Sequence, residues 1–282
     1  MTGHRIRDRI EMVSDPTKLK AASTYNAAAD HFDDEPLGFW ARIGRRTIER
    51  LGLPPGASVL DVGCGTGASA LPAAEKIGPH GKVIGVDLAE RLLEIGRQKA
   101  KRRGLTNIQF VTGDMERLGY RDNHFDAVVS VFSIFFVADM AKQVRELWRV
   151  VRPGGWLAIT TWGPRMFEPG TSIWWNAVGE VRPDLVPTES PWGRITEPQG
   201  LRDLMREAGV IDVEVVPESS HQLLRSPKDW WTIVLGSGFR WTVEQLGNDA
   251  ERVRSVNLAR IRKGRVEAVE TNAIFALARK PA

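Results

Sequence analysis

Residues 58–67, Ser-Val-Leu-Asp-Val-Gly-Cys-Gly-Thr-Gly, decide the fold, because a short apolar strand runs directly into a glycine-rich turn. Glycine adopts backbone conformations closed to other residues and lets a ligand approach the main chain closely. Helical periodicity resumes near Ala68, so the turn leads into a helix N-terminus, which offers free amide donors. The stretch predicts a strand, a binding loop and a helix in succession.

The glycine loop alone leaves its ligand open. Gly63, Gly65 and Ala68 fit the G-x-G-x-x-G/A pattern of dinucleotide sites, yet the same turn suits another nucleoside ligand or a purely structural role. The next predicted strand ends in Asp87, twenty positions after Gly67. A carboxylate there accepts hydrogen bonds from both ribose hydroxyls and repels a 2′-phosphate. This favours a nucleoside with an unmodified ribose.

A third predicted strand ends in Gly113-Asp114-Met115. An acid at that point can accept from the adenine amino group while Met115 covers the ring. Each acid alone is also typical of a helix cap or a turn. Because ligands of open α/β sheets lie outside the carboxyl ends of the strands, Asp61, Asp87 and Asp114 together predict one crevice.

The wider pattern alternates strands and helices, which predicts a parallel α/β sheet. The helix over 140–151 has the clearest amphipathic periodicity, and Pro153-Gly154-Gly155 is expected to end it. The other predicted strands are 58–62, 82–86, 107–112, 125–131, 156–161, 211–216 and 267–278. The other predicted helices are 68–77, 90–103, 37–51 and 198–208, with 226–262 mostly helical.

Composition narrows the class of protein. Among 282 residues, 39 Lys and Arg face 35 Asp and Glu, and the charges are interspersed, so no nucleic-acid partner is indicated. Cys64, the single cysteine, excludes an intramolecular disulfide and a multi-cysteine zinc site, and we expect no metal. No apolar run reaches the roughly 20 residues of a membrane span, and residues 1–16 lack a signal-peptide core. We therefore expect a cytoplasmic protein.

Five motifs together resemble the class I S-adenosylmethionine-dependent methyltransferases, in particular the group related to ubiquinone and menaquinone C-methyltransferases. They are residues 61–67, 86–88, 113–115, 125–129 and 147–155, and the likeness covers about 55–162. The resemblance implies a Rossmann-like seven-stranded sheet whose last strand, near 267–278, runs antiparallel. It also implies S-adenosyl-L-methionine as cofactor and S-adenosyl-L-homocysteine as product of an in-line displacement.

The same resemblance implies a set of cofactor contacts. Gly63, Gly65 and Thr66 are expected beside the methionine part, Asp87 on the ribose, and Asp114 with Met115 at the adenine. Completing the set are the loop residue Cys64, the motif residue Leu88, and Ser130 and Val131 on the floor near the sulfonium. The implied organisation is an N-terminal helical lid over 1–54 and a methyltransferase domain over 55–282, with cap insertions at about 162–197 and 226–262.

The methyl acceptor is suggested by the tryptophans, seven of ten of which lie at or beyond Trp162. Aromatic rings form large, stiff apolar walls, which suits a small aromatic or lipid-like acceptor such as a phenol, quinol or polyketide. Alternatively, rings such as Trp230 and Trp231 only pack the cap onto the core. The candidate polar groups near the acceptor are Arg165, Glu168, His31 and His221, and no residue identifies itself as a catalytic base. The pattern specifies neither the methylated atom nor the oligomeric state.

Several enzyme classes are disfavoured. The segment 130–135 lacks the Asn/Asp-Pro-Pro-aromatic run of methyltransferases that act on amino groups of nucleic-acid bases. Pyrimidine C5-methylation needs a nucleophilic thiolate at the acceptor, and the single cysteine, Cys64, lies in the glycine loop instead. Short-chain oxidoreductases need Tyr-x-x-x-Lys, whereas Tyr25 and Tyr120 are not followed by that lysine. Two alternatives remain: a nicotinamide-dependent Rossmann oxidoreductase of another type, and a non-catalytic or pericyclase-type protein that binds S-adenosylmethionine.

Overall fold

Parallel strands form the centre of the molecule, in a computed structural model that describes residues 16–282. The strands are β1 (Ser58–Val62), β2 (Lys82–Asp87), β3 (Ile108–Thr112), β4 (Phe125–Val131), β5 (Val151–Trp162), β6 (Val213–Glu218), β7 (His221–Leu223), β8 (Ala268–Glu270) and β9 (Ala273–Arg279). The α-helices are α1 (Pro16–Ala28), α2 (Phe39–Glu49), α3 (Ala70–Ile77), α4 (Glu90–Arg102), α5 (Met140–Val150), α6 (Gly170–Gly179), α7 (Pro198–Glu207), α8 (Pro227–Leu235), α9 (Arg240–Leu246) and α10 (Ala250–Lys263).

The main sheet has seven strands in the order β3-β2-β1-β4-β5-β9-β6, and β9 runs antiparallel to both its neighbours. This confirms the predicted seven-stranded sheet with an antiparallel last strand. The chain order reverses between β1 and β4, which leaves a crevice at the carboxyl ends of these strands. The glycine loop after β1 lies at that crevice.

Two buried apolar clusters cover the two faces of the sheet. Alternate residues of β4 belong to opposite clusters, with Val128 in one and Ala127 and Val129 in the other. This alternation follows from the two-residue period of a strand. Because both faces of the sheet are covered, β4 is buried on each side, as expected for a central parallel strand.

The C-terminal part of the chain differs from its prediction. The single strand expected over 267–278 is two strands, because β8 pairs with β7 in a separate two-stranded sheet and β9 begins only at Ala273. Hydrogen bonds stabilise the interruption between β8 and β9. Asn272 Oδ1 accepts from the Ser220 amide at 3.0 Å, and the Ser220 hydroxyl donates to the Thr271 carbonyl at 2.7 Å. These bonds join segments about 50 residues apart, which no local pattern encodes.

Strand β5 also differs from its prediction at its start. It begins at Val151, directly after α5, so the stretch Pro153-Gly154-Gly155 lies within the strand instead of ending the helix. The register between β4 and β5 shifts between Phe125 and Ala127 to accommodate the extra residues. The remaining predicted elements agree with the observed bounds to about two residues.

Helices α1 and α2 pack against the body of the protein beside the crevice; residues 1–15 of the predicted lid lie outside the described residues. Helix α1 is joined to α4 because Arg91 donates to the Asn26 carbonyl at 2.8 Å and to the Asp30 carboxylate at 2.5 Å. Helix α2 lies so close to the glycine loop that a Cβ on Gly44 would be 2.5 Å from the main chain of Ala68. A glycine at position 44 therefore sets the distance between α2 and the loop.

We expect Gly44→Ala to lower the free energy of unfolding by about 1–3 kcal/mol, because the added methyl meets main chain that cannot rotate away. Urea denaturation measures this loss. Gly52→Ala is the matched control, since a Cβ there would contact only the Trp156 indole nitrogen, at 3.9 Å. Equal stability of the two variants would contradict the close packing of α2 on the loop.

Candidate functional site

The glycine loop takes a shape that only glycine permits. Gly63, Gly65 and Gly67 have φ values of +73°, +52° and +88°. A Cβ on Gly63 would lie 2.3 Å from the Cβ of Ser133, and one on Gly67 would lie 2.9 Å from the Leu71 side chain. The loop is therefore constrained both by its backbone conformation and by its close neighbours.

Asp87 joins the end of β2 to this loop. One carboxylate oxygen accepts the Gly65 amide at 2.8 Å, and the other accepts the Ala89 amide at 2.9 Å. Burial raises the pKa of Asp87, and these backbone amides oppose the rise by stabilising the anion. The carboxylate thus lies at the crevice beside the loop, as the sequence predicted.

A first cavity of about 850 Å³, including its open mouth, lies at the carboxyl ends of β1, β2 and β4. Seven of the ten predicted cofactor contacts line it: Gly63, Cys64, Gly65, Asp87, Leu88, Met115 and Val131. Other lining residues come from the N-terminal helices and from Ser133, which the sequence did not single out. The crevice predicted at the carboxyl ends of the strands is thus a formed cavity.

The other three predicted contacts, Thr66, Asp114 and Ser130, do not line this cavity. The Thr66 hydroxyl donates to the Asp33 carboxylate at 2.8 Å. The Ser130 hydroxyl lies 2.7 Å from that of Ser133, which in turn donates to the main chain of β1. Thr66, Asp114 and Ser130 thus lie outside the cavity lining, and contact with a ligand stays a prediction for all ten residues.

Asp114 has a cationic partner from the N-terminal helix. Its Oδ2 accepts from Lys18 Nζ at 2.6 Å, its Oδ1 accepts the Glu116 amide at 2.9 Å, and its side chain is only 3% exposed. Helix α1 is thereby attached to the end of β3, beside Met115 of the first cavity. Nothing in the spacing of these residues, 96 positions apart, predicts this contact.

The side chains of Cys64 and Asp61, in the loop and at the end of β1, are both buried. Burial raises the pKa of the Cys64 thiol, which favours the neutral form and a packing role for this free cysteine. Burial also raises the pKa of Asp61 to about 7, although the Ser69 hydroxyl donates to its Oδ2 at 2.6 Å. The other oxygen of Asp61 has no hydrogen-bond partner among the described residues.

A second cavity, of about 1180 Å³ including its mouth, adjoins the first. Tyr25, Trp40, Phe132 and Phe136 line both, so these rings form a shared wall. The second cavity is largely aromatic, and the tryptophans that line it are Trp40, Trp162, Trp175, Trp192 and Trp241. This places a large apolar site directly beside the first cavity.

The sequence left two roles open for Trp230 and Trp231, a wall of the acceptor pocket or packing of the cap. Trp230 is fully buried and donates its indole N–H to Asn257 at 2.8 Å, and neither ring lines the second cavity. They pack α8 onto α10, with Arg254 over the Trp231 ring at 5.9 Å. The packing alternative therefore holds for these two rings.

The candidate polar groups near the acceptor also lie elsewhere. Arg165 is 65% exposed and pairs with Glu270 at 2.7 Å, while Glu168 accepts from the Ser172 hydroxyl at the start of α6. His31 pairs with Asp34 at 2.9 Å, and His221 is exposed on β7. None of the four candidates lines either cavity.

Tyr25 is the polar residue of the shared wall. Its ring makes edge contacts with Phe32 and Phe136, at centroid distances of 6.2 and 5.5 Å. Burial, with a smaller contribution from Asp87, raises the pKa of its hydroxyl. Tyr25 therefore keeps its proton at neutral pH and can donate a hydrogen bond.

Comparisons with known proteins agree with this geometry. The methyltransferase domain family matches residues 60–159. A demethylmenaquinone methyltransferase of Geobacillus kaustophilus is 32% identical over 182 residues, covering 60% of this chain and 77% of that protein. The chain belongs to the class I S-adenosylmethionine-dependent methyltransferases.

Other relatives and structures extend the comparison. An aklanonic acid methyltransferase of a Streptomyces species is 32% identical over 55% of this chain and 69% of that protein. Demethylmenaquinone methyltransferases of Listeria are 39% identical, but the match covers 47% of this chain and 56% of their length. The YcgJ protein of Bacillus subtilis (TM-score 0.56, 18% identity, 86% of this chain and 99% of that chain) shares the fold. So does the [4+2]-cyclase SpnF (TM-score 0.53, 24% identity, 86% and 81%).

The buried carboxyl group of Asp61 makes stability depend on pH. Its pKa of about 7 in the folded protein exceeds the value of about 3.9 expected in the unfolded chain, so the folded state retains a proton that the unfolded chain releases. Its contribution to the free energy of unfolding is therefore full at low pH and falls as pH rises through about 7. Asp61→Asn cannot titrate, so its stability relative to the wild type should rise between about pH 5 and pH 8. Urea denaturation across this range tests it; parallel profiles would contradict the assignment.

Proposed function

We propose that the protein transfers a methyl group from S-adenosyl-L-methionine to a small aromatic or lipid-like acceptor. The observation that carries the proposal is the pair of adjoining cavities, one formed by the glycine loop and Asp87, the other by aromatic rings. A methyl transfer needs the two reactants side by side. The shared wall of Tyr25, Trp40, Phe132 and Phe136 is where they would meet.

The residues of the first cavity fit the cofactor. Gly63 and Gly65 line the cavity, where a ligand can approach their main chain, and Asp87 offers carboxylate oxygens to ribose hydroxyls. Met115 supplies an apolar cover for the adenine, with Asp114 behind it. Bound S-adenosylmethionine supplies a methyl group already activated by its sulfonium charge. We propose the ten sequence-predicted contacts as its site, with Thr66, Asp114 and Ser130 acting from the supporting layer.

The second cavity fits the acceptor. Its walls are mostly rings, which suit a planar or lipid-like molecule. Two relatives are named for demethylmenaquinone and for aklanonic acid, which supports a small-molecule acceptor of this kind. Among the described residues, no histidine or carboxylate lines this cavity. We therefore propose an acceptor that loses its proton readily, such as a phenol or an enol, and that the protein acts chiefly by orientation.

The N-terminal helices serve as the lid in this proposal. Lys18 joins α1 to Asp114, and Lys99 joins Asp33 to the body of the protein at 2.9 Å. We propose that the lid spans residues 1–54, of which 16–54 are described, over a domain of residues 55–282, with the insertions at 162–197 and 226–262 as the cap. No described helix is long and apolar enough to cross a membrane. Because its lone cysteine suits a reducing compartment, we also propose a cytoplasmic location.

We expect Asp87→Ala to weaken binding of S-adenosylhomocysteine by about 1–3 kcal/mol, because ribose hydroxyls would lose a charged partner. Isothermal titration calorimetry measures this, with NADH as a second ligand that should give no signal. Asp126→Ala is the control, since that carboxylate also accepts a backbone amide, from Ser58 at 2.7 Å. Asp126 lies near the amino ends of the strands, on the side away from the crevice. NADH binding, or equal losses in both variants, would contradict the proposed site.

We expect Trp175→Ala to raise KM for a naphthohydroquinone about tenfold through lost apolar contact, without changing the affinity for S-adenosylhomocysteine. Formation of S-adenosylhomocysteine from S-adenosylmethionine, followed by liquid chromatography, is the measurement. Trp231→Ala is the matched control, because that ring is similarly half-buried but lies outside the second cavity. Absence of product with hydroquinones and phenols in the wild type would refute the activity.

A further inference from the structure

One cation lies on the wall of the second cavity. Lys20 is the only charged side chain among the described residues that line it; the others are aromatic, aliphatic or uncharged polar groups. It belongs to α1, and the residue is exposed to solvent while also lining the cavity. It is the one charged group that this described lining offers to a bound molecule.

The Lys20 ammonium rests on an aromatic ring and not on a carboxylate. Its Nζ lies 3.5 Å from the centroid of the Trp241 ring, and no acidic side chain within residues 16–282 forms an ion pair with it. The contrast with Lys18 on the same helix is direct, since Lys18 binds Asp114 at 2.6 Å and Glu116 at 2.7 Å. Partial burial lowers the pKa of Lys20, and no carboxylate offsets this effect.

This arrangement leaves hydrogen-bond donors of Lys20 available. An ammonium group has three N–H donors, and contact with a ring face attracts the charge without supplying a conventional acceptor. A carboxylate entering the second cavity would supply that acceptor and the opposite charge. Charge-assisted bonds of this type are stronger than neutral ones.

We propose that Lys20 binds an acidic group of the methyl acceptor, a carboxylate or an ionised phenol distinct from the methylated atom. The inference rests on the proposed function, since it takes the second cavity as the acceptor site. It makes the substrate class an anionic aromatic molecule and makes Lys20 a specificity-determining residue.

The rise of the helix gives the scale of the separation between the two ends of such a molecule. Lys20 and Tyr25 are five residues apart on α1, which is about 7.5 Å along the helix axis. Tyr25 belongs to the wall shared with the first cavity, where the reacting atom would lie. A fused bicyclic ring system bridges this distance, with its acidic group at Lys20 and its nucleophilic atom at Tyr25.

The test uses 6-hydroxy-2-naphthoic acid, whose hydroxyl and carboxylate lie at opposite ends of the bicycle, and its methyl ester, which lacks the negative charge. Their affinities for the full chain are measured by calorimetry at saturating S-adenosylhomocysteine. We expect the wild type to bind the acid about tenfold more tightly than the ester. Lys20→Met should abolish this preference while leaving the affinity for the ester unchanged, and Lys20→Arg should preserve it.

Lys142→Met is the matched control, because it removes the same charge from an exposed position on α5, away from both cavities. It should keep the preference for the acid. A wild type without that preference, whether both probes bind equally or neither binds, would overturn the inference, as would a Lys20→Met variant that retains it or loses affinity for both probes alike. Failure to bind S-adenosylhomocysteine in the same titration would instead contradict the proposed function.

Discussion

The bonds between the glycine loop and the end of β2 set the geometry of everything around them. The amides of Gly63 and Cys64 both donate to the Val86 carbonyl, at 2.8 and 3.1 Å, and the next residue, Asp87, accepts the Gly65 amide. The turn is possible only because Gly63 carries no side chain where Ser133 approaches. Two adjacent strand ends are thereby locked together, and the first cavity opens directly above them. A side chain at position 63 would collide with Ser133 and separate the loop from its neighbours.

The two cavities divide the chemistry between main chain and rings. On one side, glycines and strand-end carboxylates offer hydrogen bonds to a polar nucleoside; on the other, tryptophans and phenylalanines offer shape. The described lining of the second cavity holds no histidine or carboxylate that could act as a general base, and Tyr25 retains its proton. Such a site accelerates a reaction by holding two molecules in line and excluding water. This suits a fold on which different activities arise from changes in the cap.

How far the sequence predicts the molecule depends on the range of the interactions. The glycine loop, Asp87 and the parallel strands follow from local patterns, because turn chemistry and strand period are encoded within a few residues. Which tryptophans line the second cavity was not predictable, because α8 packs against α10 and none of its residues lines the cavity. The same holds for Lys18 on Asp114 and for the break between β8 and β9. These features need contacts between distant segments, which a single sequence does not reveal.

Helix α1 belongs to both halves of the site. Its Lys18 reaches the end of β3, while its Lys20 and Tyr25 face the second cavity, so one rigid element roofs both chambers. Neither chamber can be uncovered by moving α1 without disturbing the other. A substitution that shifts α1 is therefore expected to change the binding of both ligands at once.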